Sequence, residues 1–347
     1  MRCSLAELME LSVDGRAPWR SVDRIRHDAL VVVDLDHRID LDWDAEPQRR
    51  VLEHLTAPGP VLVGVTDRAV PDTAAPLLDR LTYTLAPQGP GRMWVDEDPA
   101  NGVAAIEDAV ARAPVAAATL AGLLRITAAG PVAEALLAES FAYSMLLAGP
   151  EFQAWRTITP RRPVPEVPDP VLVERDGGTL SVTLNVPARR NALGNAVRAR
   201  LLEALELAAA DRSVSHVVLR GAGPSFCSGG DLDEFGTFDD VATAHAIRTL
   251  NSPGYALHRI ADRTEVRVHG AVIGAGIEVA AFASRIVAAE DAWFRLPEVS
   301  MGLVPGAGGT VSIPRRIGRH RTAWMALTGE SVSLDRALAW GLADDRA

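Results

Sequence analysis

The stretch His269-Gly270-Ala271-Val272-Ile273-Gly274-Ala275-Gly276-Ile277-Glu278 decides how this chain is read. A short apolar run ends in paired glycines and passes into a segment bearing a carboxyl, which predicts strand, bare-backbone turn, then helix. A comparable turn, Phe226-Cys227-Ser228-Gly229-Gly230-Asp231, lies upstream. Downstream, Leu296-Pro297-Glu298 stands just ahead of Pro305-Gly306-Ala307-Gly308-Gly309. Two carboxyls, Glu278 and Glu298, beside two such turns can move protons while main-chain N–H groups hold a developing oxyanion.

Around these motifs the pattern alternates. Leu180, Val182, Leu184 and Val186 alternate with Ser181, Thr183 and Asn185, predicting a strand over 179–186. Val197, Leu201, Leu205 and Ala208 predict a helix over roughly 192–211. Further strands are expected at 216–220, 264–268 and 285–288, with a helix from about 275 to 284. Strand–helix alternation implies an α/β fold. Five prolines in the eleven residues 160–170 mark an extended linker, which divides the chain into 1–165 and 166–347. Before it, strand-like runs at 29–33 and 60–65 flank a helix candidate at 47–56. Residues 103–149 read as helices broken at Pro114 and Gly130-Pro131. Ala133, Leu136, Leu137, Phe141, Met145 and Ala148 form an apolar stripe expected to face the core.

Composition excludes several classes. Hydrophobic residues make up 48% and charged residues 23%, as in a soluble globular protein. All 35 basic residues are arginine, so lysine Schiff-base chemistry and a P-loop lysine are ruled out. A net charge of -10 argues against nucleic acid as a partner. Cys3 and Cys227 make no disulfide framework, and a cytoplasmic location is expected. The N-terminus does not read as a signal peptide, and no apolar run is long enough for a membrane span. The dinucleotide signature fails where Val279 replaces its last glycine. No metal-ligand spacing is present. Cys227 reads as a small buried residue and His269 as a satisfied core histidine.

Five blocks, taken in order, resemble the crotonase (enoyl-CoA hydratase/isomerase) superfamily across about 171–345. They are Leu184 to Leu193, Phe226 to Asp231, His269 to Glu278, Phe294 through Thr310, and Leu327-Thr328-Gly329-Glu330 with Ala337 to Leu342. The resemblance implies a ββα spiral core and an acyl-coenzyme A thioester as substrate, with no further cofactor. It implies oxyanion donors at the N–H groups of Gly230 and Ala275, and catalytic acids at Glu278 and Glu298. One carboxylate would activate water while the other, protonated, serves the α-carbon. Because both acids are kept, it favours enoyl-CoA hydration or the reverse dehydration. Substrate contacts are implied at Arg190, Ala192, Leu193, Phe226, Ser228, Asp231, Leu232 and Gly306, with Asp231 expected chiefly to fix its turn. The acyl pocket walls are expected from 232–262.

In this family a helical segment normally follows the Gly341-Leu342 region, completing the acyl site and helping to form trimers. Residues 103–162 resemble that segment, placed ahead of the core. A permuted order or a decayed duplicate is expected, with a homo-oligomer (trimer or hexamer) and with Arg156, Arg161 and Arg162 as candidates for coenzyme A phosphates. Other crotonase chemistry stays open: double-bond isomerisation, or oxygenation or ring chemistry on an aryl-acyl-CoA, since the second turn and long N-terminal part also resemble the dihydroxyphenylacetyl-CoA dioxygenase branch. So does a non-catalytic acyl-CoA-binding subunit.

Overall fold

The computed structural model describes residues 1–13, 29–35, 39–46, 48–55, 59–238 and 240–347. The ends of the helix expected at 47–56, and Asp239 in the expected pocket wall, lie outside them.

Short apolar runs rich in valine build the first sheet. Strands β1 (Arg2–Ser4), β2 (Leu30–Asp34), β3 (Val61–Val65), β4 (Tyr83–Leu85) and β5 (Trp94–Val95) pair in that order, all parallel. Successive side chains point to opposite faces, so Val31 and Val33 pack on one side and Leu30 and Val32 on the other. Helices α1 (Leu5–Val13), α2 (Gln48–Leu55) and α3 (Ala75–Leu78) close the first face. The second face joins the main core through α4 (Pro99–Arg112) and α5 (Pro114–Thr127). A proline opens α4, α5 and also α7 (Pro150–Ile158), where a missing N–H costs nothing. Between α5 and α7 runs α6 (Val132–Leu147).

After the linker comes a six-stranded sheet. Its strands are β6 (Val171–Asp176), β7 (Thr179–Leu184), β8 (His216–Gly221), β9 (Thr264–Val268), β11 (Arg285–Ala288) and β14 (Asp345–Arg346), in the order β14-β11-β9-β8-β7-β6. β6 and β7 form an antiparallel hairpin, and the other neighbours are parallel. A smaller sheet holds β10 (Ala271–Ile273), β12 (Trp293–Arg295) and β13 (Val332–Ser333). The helices are α8 (Asn195–Ala210), α9 (Val241–Leu250), α10 (Pro253–His258), α11 (Ala275–Ala280), α12 (Gly309–Ile317), α13 (Arg319–Thr328) and α14 (Leu334–Trp340). This is an α/β fold of the ββα spiral kind. The expected strands and α8 appear near their predicted limits, whereas α11 stops at Ala280, four residues early.

One apolar cluster runs from the second face of the first sheet, through α4 to α7, into the six-stranded sheet. Among the described residues no single helix is long and apolar enough to cross a membrane.

Helix α6 corrects one expectation. Most of its apolar stripe does not face the core: Leu137, Phe141 and Met145 are exposed, Phe141 by 57%, while Leu136 packs partly buried against it. Glu139, Ser140, Tyr143 and Ser144 point inward instead. The inward face meets main-chain N–H groups and an arginine, described below, and those need polar partners more than apolar ones.

Candidate active site

The two glycine turns are stitched side by side. Cys227 N–H donates to Ala271 O at 3.2 Å, and Ile273 N–H donates to Cys227 O at 3.0 Å. Asn191, itself left-handed at φ 53°, fixes the first turn. Its Nδ2 donates to Ala222 O, Ser225 O and Phe226 O, and its Oδ1 accepts from Val186 N–H. Gly274 adopts φ 47°, and a Cβ there would lie 2.4 Å from Glu298 Oε1, so neither the backbone nor the neighbouring acid tolerates a side chain. Ala275 follows in helical conformation, so its methyl group carries no φ strain.

Gly230 and Ala275 line one cavity of about 160 Å³, together with Glu278 and Glu298. Neither amide has a hydrogen-bond acceptor among the described residues. Two unpaired N–H groups at one cavity wall are what a developing oxyanion needs.

The acids are 2% and 7% exposed, respectively. Glu278 Oε2 accepts from Ala307 N–H at 2.7 Å and Gly309 N–H at 2.9 Å. Glu298 Oε2 is buried, and among the described residues no N–H or O–H group donates to it. Burial, then the charges of Glu298 and Glu139, pushes Glu278 well above the carboxylate range. Burial raises Glu298 to about 8, helped by the charge of Glu139. The two carboxyls lie close enough that a hydrogen bond between them opposes part of this rise. A proton on one of them supplies its donor.

Glu139, from α6, is the residue that sequence reasoning missed. It is 2% exposed, and burial lifts it to about 7. Its Oε1 accepts from Gly308 N–H at 2.7 Å, and its Oε2 from Thr310 N–H at 2.9 Å and Thr310 Oγ1 at 2.7 Å. Glu139 and Glu278 therefore take successive amides of one turn, 307–310. Tyr143, one turn further along α6, lies against Gly306, where a Cβ would be 2.3 Å from the ring.

These raised values set the sign of a pH effect. Between about pH 4.5, the usual glutamate value, and about pH 8, the folded chain binds more protons than the unfolded one. Stability from this source is fully present below that window and is lost as pH rises through it. We expect the melting temperature to fall from about pH 5 to about pH 9, with a smaller fall in a Glu278→Gln/Glu298→Gln double variant. Calorimetry showing the same slope in both proteins would contradict this.

The family model for enoyl-CoA hydratase/isomerase matches residues 174–346. A 2,3-dehydroadipyl-CoA hydratase of Escherichia coli is 38% identical over 183 residues, covering 50% of this chain and 68% of the relative. The chain belongs to the crotonase superfamily. A second E. coli relative, 1,2-epoxyphenylacetyl-CoA isomerase, is 32% identical over 177 residues, covering 50% of this chain and 67% of its own. The solved enoyl-CoA hydratase of Mycobacterium smegmatis gives a TM-score of 0.48 at 34% identity, over 51% of this chain and 70% of its own. The family match begins at residue 174, so α4 to α7 lie ahead of it.

Within this crotonase domain the structure distributes the remaining expected contacts. Leu193, Asp231 and Gly306 line the cavity. Asp231 is also held by Arg189, at 2.6 Å from Nη2 and 3.0 Å from Nε. Arg190, Ala192, Ser228 and Leu232 lie outside the cavity lining, and Phe226, 1% exposed, packs in the core. Cys227 is buried, and burial pushes its thiol up to about 12. The His269 ring pairs with Gly223 O at 2.8 Å. Walls from 232–262 are present: Glu234, Phe235, Phe238, Ala244, Arg248 and Pro253 all contribute.

The three arginines expected to meet coenzyme A phosphates have other work. Arg156 donates to Leu232 O at 2.7 Å, and Arg161 donates to Phe235 O at 2.8 Å and Gly236 O at 2.7 Å. Arg162 pairs with Asp233 at 3.3 Å. They tie α7 and the start of the proline-rich linker to the loop that follows the first turn.

Proposed function

We infer that this crotonase hydrates an enoyl-CoA, or dehydrates the corresponding 3-hydroxyacyl-CoA, using Glu278 and Glu298 beneath the amides of Gly230 and Ala275. The observation that carries the reading is one cavity lined by two buried carboxyls and by two residues whose N–H groups are unpaired. The thioester carbonyl is placed at the two amides. Water then adds across the double bond: its hydroxyl goes to the β-carbon, one carboxylate takes its proton, and the other carboxyl gives a proton to the α-carbon. Burial raises both carboxyls, and the hydrogen bond between them lets one proton be held by the pair. The titrations belong to the pair, and proton exchange between the carboxyls resets the site.

Residues 103–162 take the role of the helices that follow the core in this family, because α6 lines the cavity through Tyr143 and Leu147. Association with further copies through the exposed stripe of α6 belongs to the same reading. Both relatives above are named for acyl-CoA thioesters.

Adding the protein to crotonyl-CoA and a small panel of other enoyl-CoAs is expected to remove the enoyl-thioester absorbance band. An unchanged band across the panel, with coenzyme A thioesters still bound, would assign the site to other chemistry or to binding alone.

A further inference from the structure

The cavity has two electrically different ends. Glu278 and Glu298 stand at one. At the other, Arg198 of α8 and Arg248 of α9 contribute to the lining. Neither arginine makes an ion pair among the described residues. Arg248 Nη1 donates to Ser140 Oγ at 2.9 Å and Ser144 Oγ at 3.0 Å, while its Nη2 and Nε have no acceptor among the described residues. Arg198 Nη2 donates to Asn195 Oδ1 at 2.5 Å, and no carboxylate receives it.

The acids around them are engaged in part: Asp231, also in the lining, is held by Arg189, and Glu234 gives one oxygen to backbone. Glu139 lies within electrostatic reach of Arg248 but has both oxygens on the amides of Gly308 and Thr310. Glu234 lies within reach of Arg198 and accepts from Asn195 N–H at 2.7 Å. Arg198 and Arg248 also repel each other. Two guanidiniums brought together and partly desolvated, with nearby carboxylates partly committed elsewhere, are costly unless an anion arrives from outside the chain.

Tyr143 of α6 packs against the arginine side of this lining. The Arg248 guanidinium lies 4.2 Å from the centre of its ring. Tyr143 also feels the charges of Glu278 and Glu298. Arg248 thus packs on the face of Tyr143, and both residues line the same cavity as the acid pair. The wall is partly apolar, with Leu147, Leu193, Phe235 and Ala244. An acyl chain with its carbonyl at the Gly230 and Ala275 amides would present its far end to the arginines.

We propose that Arg198 and Arg248 form an anion-recognising end of the acyl pocket, and that the substrate is an acyl thioester whose chain ends in a carboxylate. The proposal rests on reading the cavity as an acyl-thioester site. A guanidinium–carboxylate contact supplies charge-assisted hydrogen bonds that a neutral chain end lacks.

The test compares saturated thioesters, so it does not depend on turnover. Isothermal titration calorimetry with adipyl-CoA and hexanoyl-CoA presents the same carrier with and without the terminal carboxylate. Adipyl-CoA is expected to bind about 10- to 100-fold more tightly. In Arg248→Met and Arg198→Met that ratio is expected to fall toward one, with Arg248→Lys retaining part of it. Equal affinities in the parent protein overturn the proposal, even if the variants fail to fold. A parallel loss for both ligands in the variants also overturns it, because the guanidiniums would then be meeting a phosphate of coenzyme A. If crotonyl-CoA is hydrated while affinities are equal, the carboxylate preference alone is lost. If no enoyl-CoA is hydrated but the adipyl preference stands, the reaction assignment alone is lost.

Discussion

Glu298→Gln is expected to lower the rate of enoyl-CoA hydration by about 10²- to 10⁴-fold while leaving the affinity for a saturated acyl-CoA within a few-fold of the parent. Glutamine keeps the shape of the side chain and removes its proton chemistry. Glu298 is buried, and no N–H of the described residues donates to its Oε2, so the amide strands no backbone donor there. Glu278→Gln should give a loss of the same order. Its carbonyl oxygen can still accept from Ala307 N–H and Gly309 N–H, which receive the carboxylate now. The measurement is kcat from single-turnover absorbance, set beside a dissociation constant from calorimetry. Undiminished turnover in either variant would remove that glutamate from the reaction.

Glu139→Ala is expected to act on both stability and rate. The substitution strands Gly308 N–H, Thr310 N–H and the Thr310 hydroxyl without their acceptor in a buried site. Each unsatisfied buried group costs about 1–3 kcal/mol. We expect a loss of about 3 kcal/mol, read as a melting temperature several degrees lower. The same turn presents Ala307 and Gly309 to Glu278, so kcat is expected to fall about tenfold or more at temperatures where the variant is folded. Glu139→Gln keeps one acceptor oxygen and should lie between. A Glu139→Ala protein with an unchanged melting temperature and full turnover would show that α6 does not position the turn.

Much of the crotonase domain was legible because its backbone demands particular residues. Gly274, with φ 47° and no room for a Cβ, can be replaced by little else, and such positions stand out in a sequence. The two acids stood out because each neighbours such a turn. The alternation at 179–186 carried β7, since every second residue is buried. Glu139 carried no comparable signal. It lies within a helix whose apolar residues recur at helical spacing, and that periodicity pointed to the wrong face. Periodicity reports that a helix has two faces; it does not report which one a buried turn with free N–H groups will claim. Arg198 and Arg248 were equally silent, being arginines on helices, where a solvated charge is the ordinary case. Their burial depends on how α6, α8 and α9 meet.

The bond from Thr310 N–H to Glu139 spans 171 positions of the chain. During synthesis α6 leaves the ribosome well before the turn it will hold. Until α12 is made, its inward carboxyl has no amides to accept from, and the pocket has no floor. Contacts this distant in sequence form slowly. The pocket can therefore close only once α12 has been translated.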